Sequence, residues 1–132
     1  MSEVIHRASR VVVPRPDRRR RLGQAGFGWI DARLRSHGWL ELLSPTAIAV
    51  YAFLCLVADR DGVSWYRRDR IRHELGLTEA ELQAALGRLR ELELVAYQPF
   101  GRHASDGFHQ VLGLPSHPAP SLEETCFGLG AE

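Results

Sequence analysis

The chain has 132 residues, 45% of them hydrophobic and 25% charged, enough for one compact domain of about 100 residues with loose ends. Its net charge of +1 is unevenly spread: residues 1–27 carry +5, residues 28–114 carry −1 and residues 115–132 carry −3. The longest apolar run, residues 47–58, falls far short of the ~20 residues of a membrane helix, so no membrane partner is expected. The two cysteines, Cys55 and Cys126, make no disulfide framework, and the charged start lacks the apolar stretch of a secretory leader. A reducing cytoplasm, with association to the nucleoid, is the expected setting.

Residues 1–27 read as a basic, flexible arm. Val11-Val12-Val13 can pair as a short strand, but Pro14 and Pro16 stop any regular element. Arg18-Arg19-Arg20-Arg21 follows, and charges this dense repel one another. All 17 basic residues of the chain are arginine, which forks onto phosphate oxygens and guanine edges better than lysine does. A GC-rich genome produces the same bias, so composition alone does not separate the two causes.

From Gly28 the pattern turns helical. A short helix is predicted near residues 29–36 and a turn or helical segment near 38–43, on either side of Gly38. Ser44-Pro45 marks the start of a long apolar helix reaching about Ala58, since serine caps exposed amides and proline is pre-set for the first helical position. Asp59-Arg60-Asp61-Gly62 supplies the turn, and Val63-Ser64-Trp65 a short strand. A helix over Arg67–Leu75 then ends at Gly76, which suits a left-handed stop. Thr78 and Glu81 have capping-box spacing for a further helix running to about Leu92, with Leu82, Leu86 and Leu89 on its inner face. Two strands, residues 94–97 and 108–114, flank a flexible loop, and Pro115, Pro118 and Pro120 end the fold before an acidic, disordered tail over 115–132. Trp29, Trp39, Trp65, Tyr51 and Phe53 are expected in the core, Tyr66 and Phe100 outside it.

This order is helix, short strand, helix, tight glycine turn, helix and hairpin. It predicts a mainly α fold with a small β-hairpin wing, a winged helix-turn-helix, over residues 28–114. The stretch Leu43-Ser44-Pro45 to Asp59-Arg60-Asp61-Gly62 and Ser64-Trp65, with the ending Leu92-Glu93-Leu94-Val95-Ala96-Tyr97, resembles bacterial winged-helix DNA-binding domains. Similar segments occur in plasmid and phage replication initiators and in helix-turn-helix proteins of mobile elements. The resemblance implies double-stranded DNA as the partner, in transcriptional regulation or as an accessory to replication or transposition. The alternative is a winged-helix module that docks a partner protein, through the apolar helix or the acidic tail.

The helix after the glycine turn would present Gln83 to adenine edges, with Arg88 and Arg90 toward guanine or phosphate. Arg67, Arg68 and Arg70 on the preceding helix, Arg102 and His103 at the wing tip, and Arg18, Arg19, Arg20 and Arg21 in the arm would contact the backbone. Glu79 and Glu81 stand against this, since acids there face the phosphates. The apolar helix and two-fold symmetric DNA sites suggest a homodimer. No catalytic site, metal site or cofactor is expected. His103-Ala104-Ser105-Asp106 are neighbours in one loop, whereas a triad converges from separate elements. Neither His103 and His109 nor the two cysteines have metal-ligand spacing, and Gly23-Gln24-Ala25-Gly26 lacks the residues of a phosphate loop.

Overall fold

The longest helix begins where the sequence sets serine before proline. In the computed structural model, which describes residues 11–21 and 26–121, Ser44 Oγ accepts the amide of Ala47 at 3.1 Å and Pro45 occupies the first helical position. This helix, α2 (Pro45–Val57), follows a single turn, α1 (Arg33–Ser36), and a 3₁₀ turn over Trp39–Leu42. It ends at an Asx turn, in which Asp59 Oδ1 accepts the amides of Asp61 and Val63 at 2.8 and 2.9 Å. Gly62 completes the turn at φ +86°, and a Cβ there would lie 2.5 Å from the carbonyl oxygen of Val111. Only glycine lets the turn approach the last strand this closely.

After β1 (Val63–Ser64) come α3 (Arg68–Leu75) and α4 (Glu79–Glu91), joined by the turn Gly76-Leu77-Thr78. Gly76 is left-handed at φ +67°, and Leu77 N donates to Arg72 O at 3.0 Å, so the end of α3 is tied down by its own carbonyls. The capping box on α4 forms in both directions: Glu81 N donates to Thr78 Oγ1 at 3.1 Å, and Thr78 N to Glu81 Oε1 at 2.9 Å. That hydrogen bonding holds the Glu81 carboxyl below its ordinary pKa.

β2 (Val95–Pro99) and β3 (Gly107–Val111) form the wing hairpin, and β1 pairs with β3 to complete an antiparallel sheet ordered β1-β3-β2. Strand alternation turns Val95, Tyr97 and His109 toward the helices. The core is built from Val50 and Leu54 of α2, Ile71 of α3, Leu82 and Leu89 of α4, and Leu94 and Val95 leading into the wing. All seven are at most 2% exposed, each contributing roughly 1.5–3 kcal/mol of burial. The protein is thus mainly helical with a small β wing, a winged helix-turn-helix.

Five expectations need correction. Trp29 and Trp65 are not core residues; they are 73% and 58% exposed. Gly28 explains the first, because its Cα lies so close to α2 that a Cβ would meet Cys55 O and Leu56 Cα at 2.7 Å. The segment therefore crosses α2 by its backbone, and helix begins only at Arg33, with Asp31 Oδ1 accepting the Arg33 amide at 2.9 Å. Tyr66, rather than Trp65, takes the inner position, edge-on to Phe53 with centroids 5.4 Å apart. Finally, the stretch after Pro115 does not leave the fold at once: Ala119 packs on the core and its amide donates to His37 O at 2.8 Å.

Val11–Val13 are exposed and not in a strand, and Pro16–Arg18 make one exposed 3₁₀ turn. Residues 1–10, 22–25 and 122–132, which include the Gly23–Gly26 segment in part and Cys126, lie outside the described residues. Among the described residues no helix is long and apolar enough to cross a membrane, and Cys55 is a buried free thiol whose pKa burial raises.

Candidate functional site

A groove of about 500 Å³ runs between α4 and the wing. Its helical wall is a stripe at i, i+4 and i+7, Gln83, Gly87 and Arg90, flanked by the buried Leu86, while Leu82 and Leu89 are fully buried in the core. Gly87 has nothing within 4 Å of where a Cβ would be, so the groove is open at its middle. The other wall is Tyr97 of β2, with the Arg90 guanidinium over its ring at 5.3 Å from the centroid. Tyr97 leans in turn on His109, whose ring lies 5.0 Å away at the groove floor.

His109 is 2% exposed and Nδ1 has no hydrogen-bond partner. Burial, reinforced by the cations Arg68 and Arg90 and opposed by Asp106, pushes its pKa down to about 4. At neutral pH the floor of the groove is therefore an uncharged imidazole.

Arg68 closes the groove at the start of α3. Its amide donates to Asp106 Oδ1 at 2.8 Å, so an acid of the wing loop caps a helix 38 residues earlier in the chain. Its guanidinium donates to Glu79 Oε1, with Nε at 2.9 Å. Glu79 also faces Arg72 Nη1 at 3.8 Å, and Arg72 bonds Asp69 at 3.1 Å.

The residues singled out in the sequence divide into three groups. Gln83 and Arg90 line the groove directly, with Arg68 at its end. Arg67, Arg102 and His103 are exposed, and neither Arg67 nor Arg102 has an ion-pair partner among the described residues. Arg70 is paired with Glu74 one turn on. Arg88 differs from the expectation of a solvent-facing side chain. It is half-buried, and its Nε donates to Leu42 O at 3.0 Å while Nη1 pairs with Glu91. Its place three residues past Ala85, a buried position, turns it toward the 3₁₀ turn instead of the groove. Arg18, Arg19, Arg20 and Arg21 are exposed, and no ion pair engages them among the described residues.

Tyr97, His109 and Asp106 were missed. The period-2 pattern carried the signal for the first, since Val95 and Tyr97 must share a face. Among the described residues no group of three or more His, Cys, Asp and Glu can hold a metal ion.

The fold has a DNA-bound counterpart. A chain of a solved structure described as a Rep–DNA complex matches with a TM-score of 0.50, over 80% of this chain and 85% of its own, at 14% sequence identity. At that identity the likeness bears on the fold alone. No protein-family model matches the sequence, and no curated protein does.

Proposed function

We propose that the protein binds double-stranded DNA through the α4–wing groove, as a transcriptional regulator or as an accessory to replication or transposition. The observation that carries this reading is that Gln83 and Arg90 line one open groove with Arg68 at its end, while Arg67, next in the chain to Arg68, and Arg102 of the wing loop are exposed and without an ion-pair partner among the described residues. An α-helix fits the major groove of B-DNA, where Gln83 would face base edges. Arg67, Arg90, Arg102 and His103 would lie along the phosphates, with Arg68 and Arg70 behind them. Arg18–Arg21 would add sequence-independent affinity from the arm. The structural counterpart is itself described in complex with DNA. Arg88 has a structural part as the tie to Leu42.

In this reading residues 1–27 are a basic arm, 28–114 the binding domain and 115–132 an acidic tail, and the role is binding rather than catalysis. The working form is a homodimer in the cytoplasm, on the nucleoid. A second reading, docking of a partner protein, is favoured by a cluster of exposed apolar side chains where the N-terminal segment crosses α2: Phe27, Trp29, Ile30 and Leu56 are 46–73% exposed.

Fluorescence anisotropy with a labelled random duplex across a salt series separates the two. The intact chain is compared with one lacking residues 1–21. Duplex binding that survives truncation, with a shallower salt slope, and is lost on replacing Arg67, Arg90 and Arg102 supports the groove. Loss of all binding on truncation confines DNA to the arm and favours the docking reading.

A further inference from the structure

The outer face of the wing carries chemistry that the groove does not use. Successive strand residues point to opposite sides of a sheet. Ser64, His109 and Tyr97 form one register row, in which Ser64 and His109 are buried. The next row therefore faces out: Gln98 pairs with Phe108, and the exposed Trp65 directly follows Ser64, whose partner His109 is next in the chain to Phe108. Trp65, Phe100 and Phe108 are 58%, 47% and 41% exposed. Phe100 and Phe108 meet edge to face, with centroids 4.9 Å apart.

The surroundings of these rings select the occupant. The other outward positions of the sheet are Val63, Ala96, Gln98 and Gln110, so the face holds two amides and no carboxylate. The exposed, unpaired cations Arg67 and Arg102 stand close by in sequence, two residues from Trp65 and from Phe100. The acid of the wing loop, Asp106, is turned away to cap Arg68. Open rings, amides and free guanidinium groups are what unstacked bases and their phosphates require. Rings take any base by its face, amides bond base edges, and guanidinium groups hold the backbone.

We propose that the outer face of the wing, Trp65 with Phe108 and Phe100, stacks the unpaired bases of single-stranded nucleic acid. It lies on the opposite side of the sheet from the α4 groove and shares Arg67 and Arg102 with the duplex reading, so its rings, which that reading does not use, carry the test.

The test is anisotropy of the full chain with a labelled thymidine oligomer of about 12 nucleotides. An abasic oligomer of equal length and a duplex are titrated in parallel. The base-bearing strand is expected to bind at least about tenfold more tightly than the abasic one, because stacking adds to a phosphate contribution common to both. Trp65→Ala should lower affinity for the base-bearing strand about tenfold, leave the abasic and duplex affinities in place, and be rescued by Trp65→Phe. Phe100→Ala, at the edge of the sheet, repeats the test on a second ring. Equal affinity for the base-bearing and abasic oligomers would overturn the proposal, leaving only phosphate contacts. So would a single-strand affinity untouched by both alanine variants. If those variants instead shift the sedimenting species from dimer to monomer, the face belongs to a second copy of this chain.

Discussion

Acid should destabilise this protein through one imidazole before its carboxylates matter. His109 is folded with a pKa of about 4, against about 6.5 in an unfolded chain. Its folded value is the lower one, so between these limits the unfolded state binds more protons. The stability that neutral His109 contributes is complete above about pH 6.5 and is lost as the pH falls toward 4. The difference corresponds to about 3 kcal/mol at most, and about 2–3 kcal/mol by pH 4.5. That is a large share of a typical stability of 5–15 kcal/mol. The groups facing the ring bear out the direction: Arg68 and Arg90 disfavour its charge and only Asp106 favours it. Ser64 pairs with it across the sheet and the Tyr97 ring lies against it. Urea denaturation of the wild type and His109→Gln from about pH 7.5 to about pH 4.5 measures the effect. The wild type should lose stability across this range while the glutamine variant, with no charge to acquire, stays nearly level. The carboxylates held low, Asp31 at about 2 by Arg33 and Glu81 by Thr78, respond mainly below it. Parallel stability curves for the two proteins between pH 6.5 and 4.5 would refute the reasoning.

Gly107→Ala should disrupt the wing, because its Cβ would sit 2.2 Å from Gln98 O and 2.7 Å from Pro99 Cα. Each kcal/mol lost appears as a drop of about 4–8 °C in Tm for a domain of this size, and an unchanged thermal melt counts against the hairpin register. Arg88→Ala should lower stability by about 1–3 kcal/mol by leaving Leu42 O without its donor, while duplex affinity at permissive temperature is unchanged. Glu79→Gln should raise duplex affinity and steepen its salt dependence, since it frees Arg68 and Arg72 from a shared carboxylate. Equal salt slopes for this variant and the wild type would mean that Arg68 stays out of reach of phosphate.

The three longer helices were legible because their ends are written locally. Ser44-Pro45, Gly76 and the Thr78–Glu81 pair each act within four residues, and each is found in its expected geometry. The three-stranded sheet was legible in its parts but not in its order, since β1 pairs with β3 from more than 40 positions away. The tryptophans were misplaced for a related reason. Hydrophobicity argues that a ring should be buried, but whether Trp65 or Tyr66 turns inward is a question of strand phase. Ser64 settles that phase by pairing with His109. The cap that Asp106 provides to α3 is invisible to local rules, because donor and acceptor lie 38 residues apart.

The site was half legible for the same reason that its net charge misleads. Counted along the chain, α3 is dense in arginine, yet the fold hands several of those charges to acids within reach. Arg70 goes to Glu74, Arg72 to Asp69, and Arg68 to Glu79 across the helix-turn-helix. The side chains of these pairs are 24–90% exposed, and such pairs contribute about 0–1 kcal/mol each to stability. Their larger consequence is electrostatic: each pairing removes a cation from the field that a polyanion would meet. What remains exposed without an acid partner on these elements is Arg67, Arg90 and Arg102, one each from the start of α3, the face of α4 and the wing loop. Three charges on three elements specify an orientation, which a run such as Arg18–Arg21 does not. The near-neutral body and the basic arm are thus consistent with one division of labour, in which the arm supplies attraction and the body supplies direction.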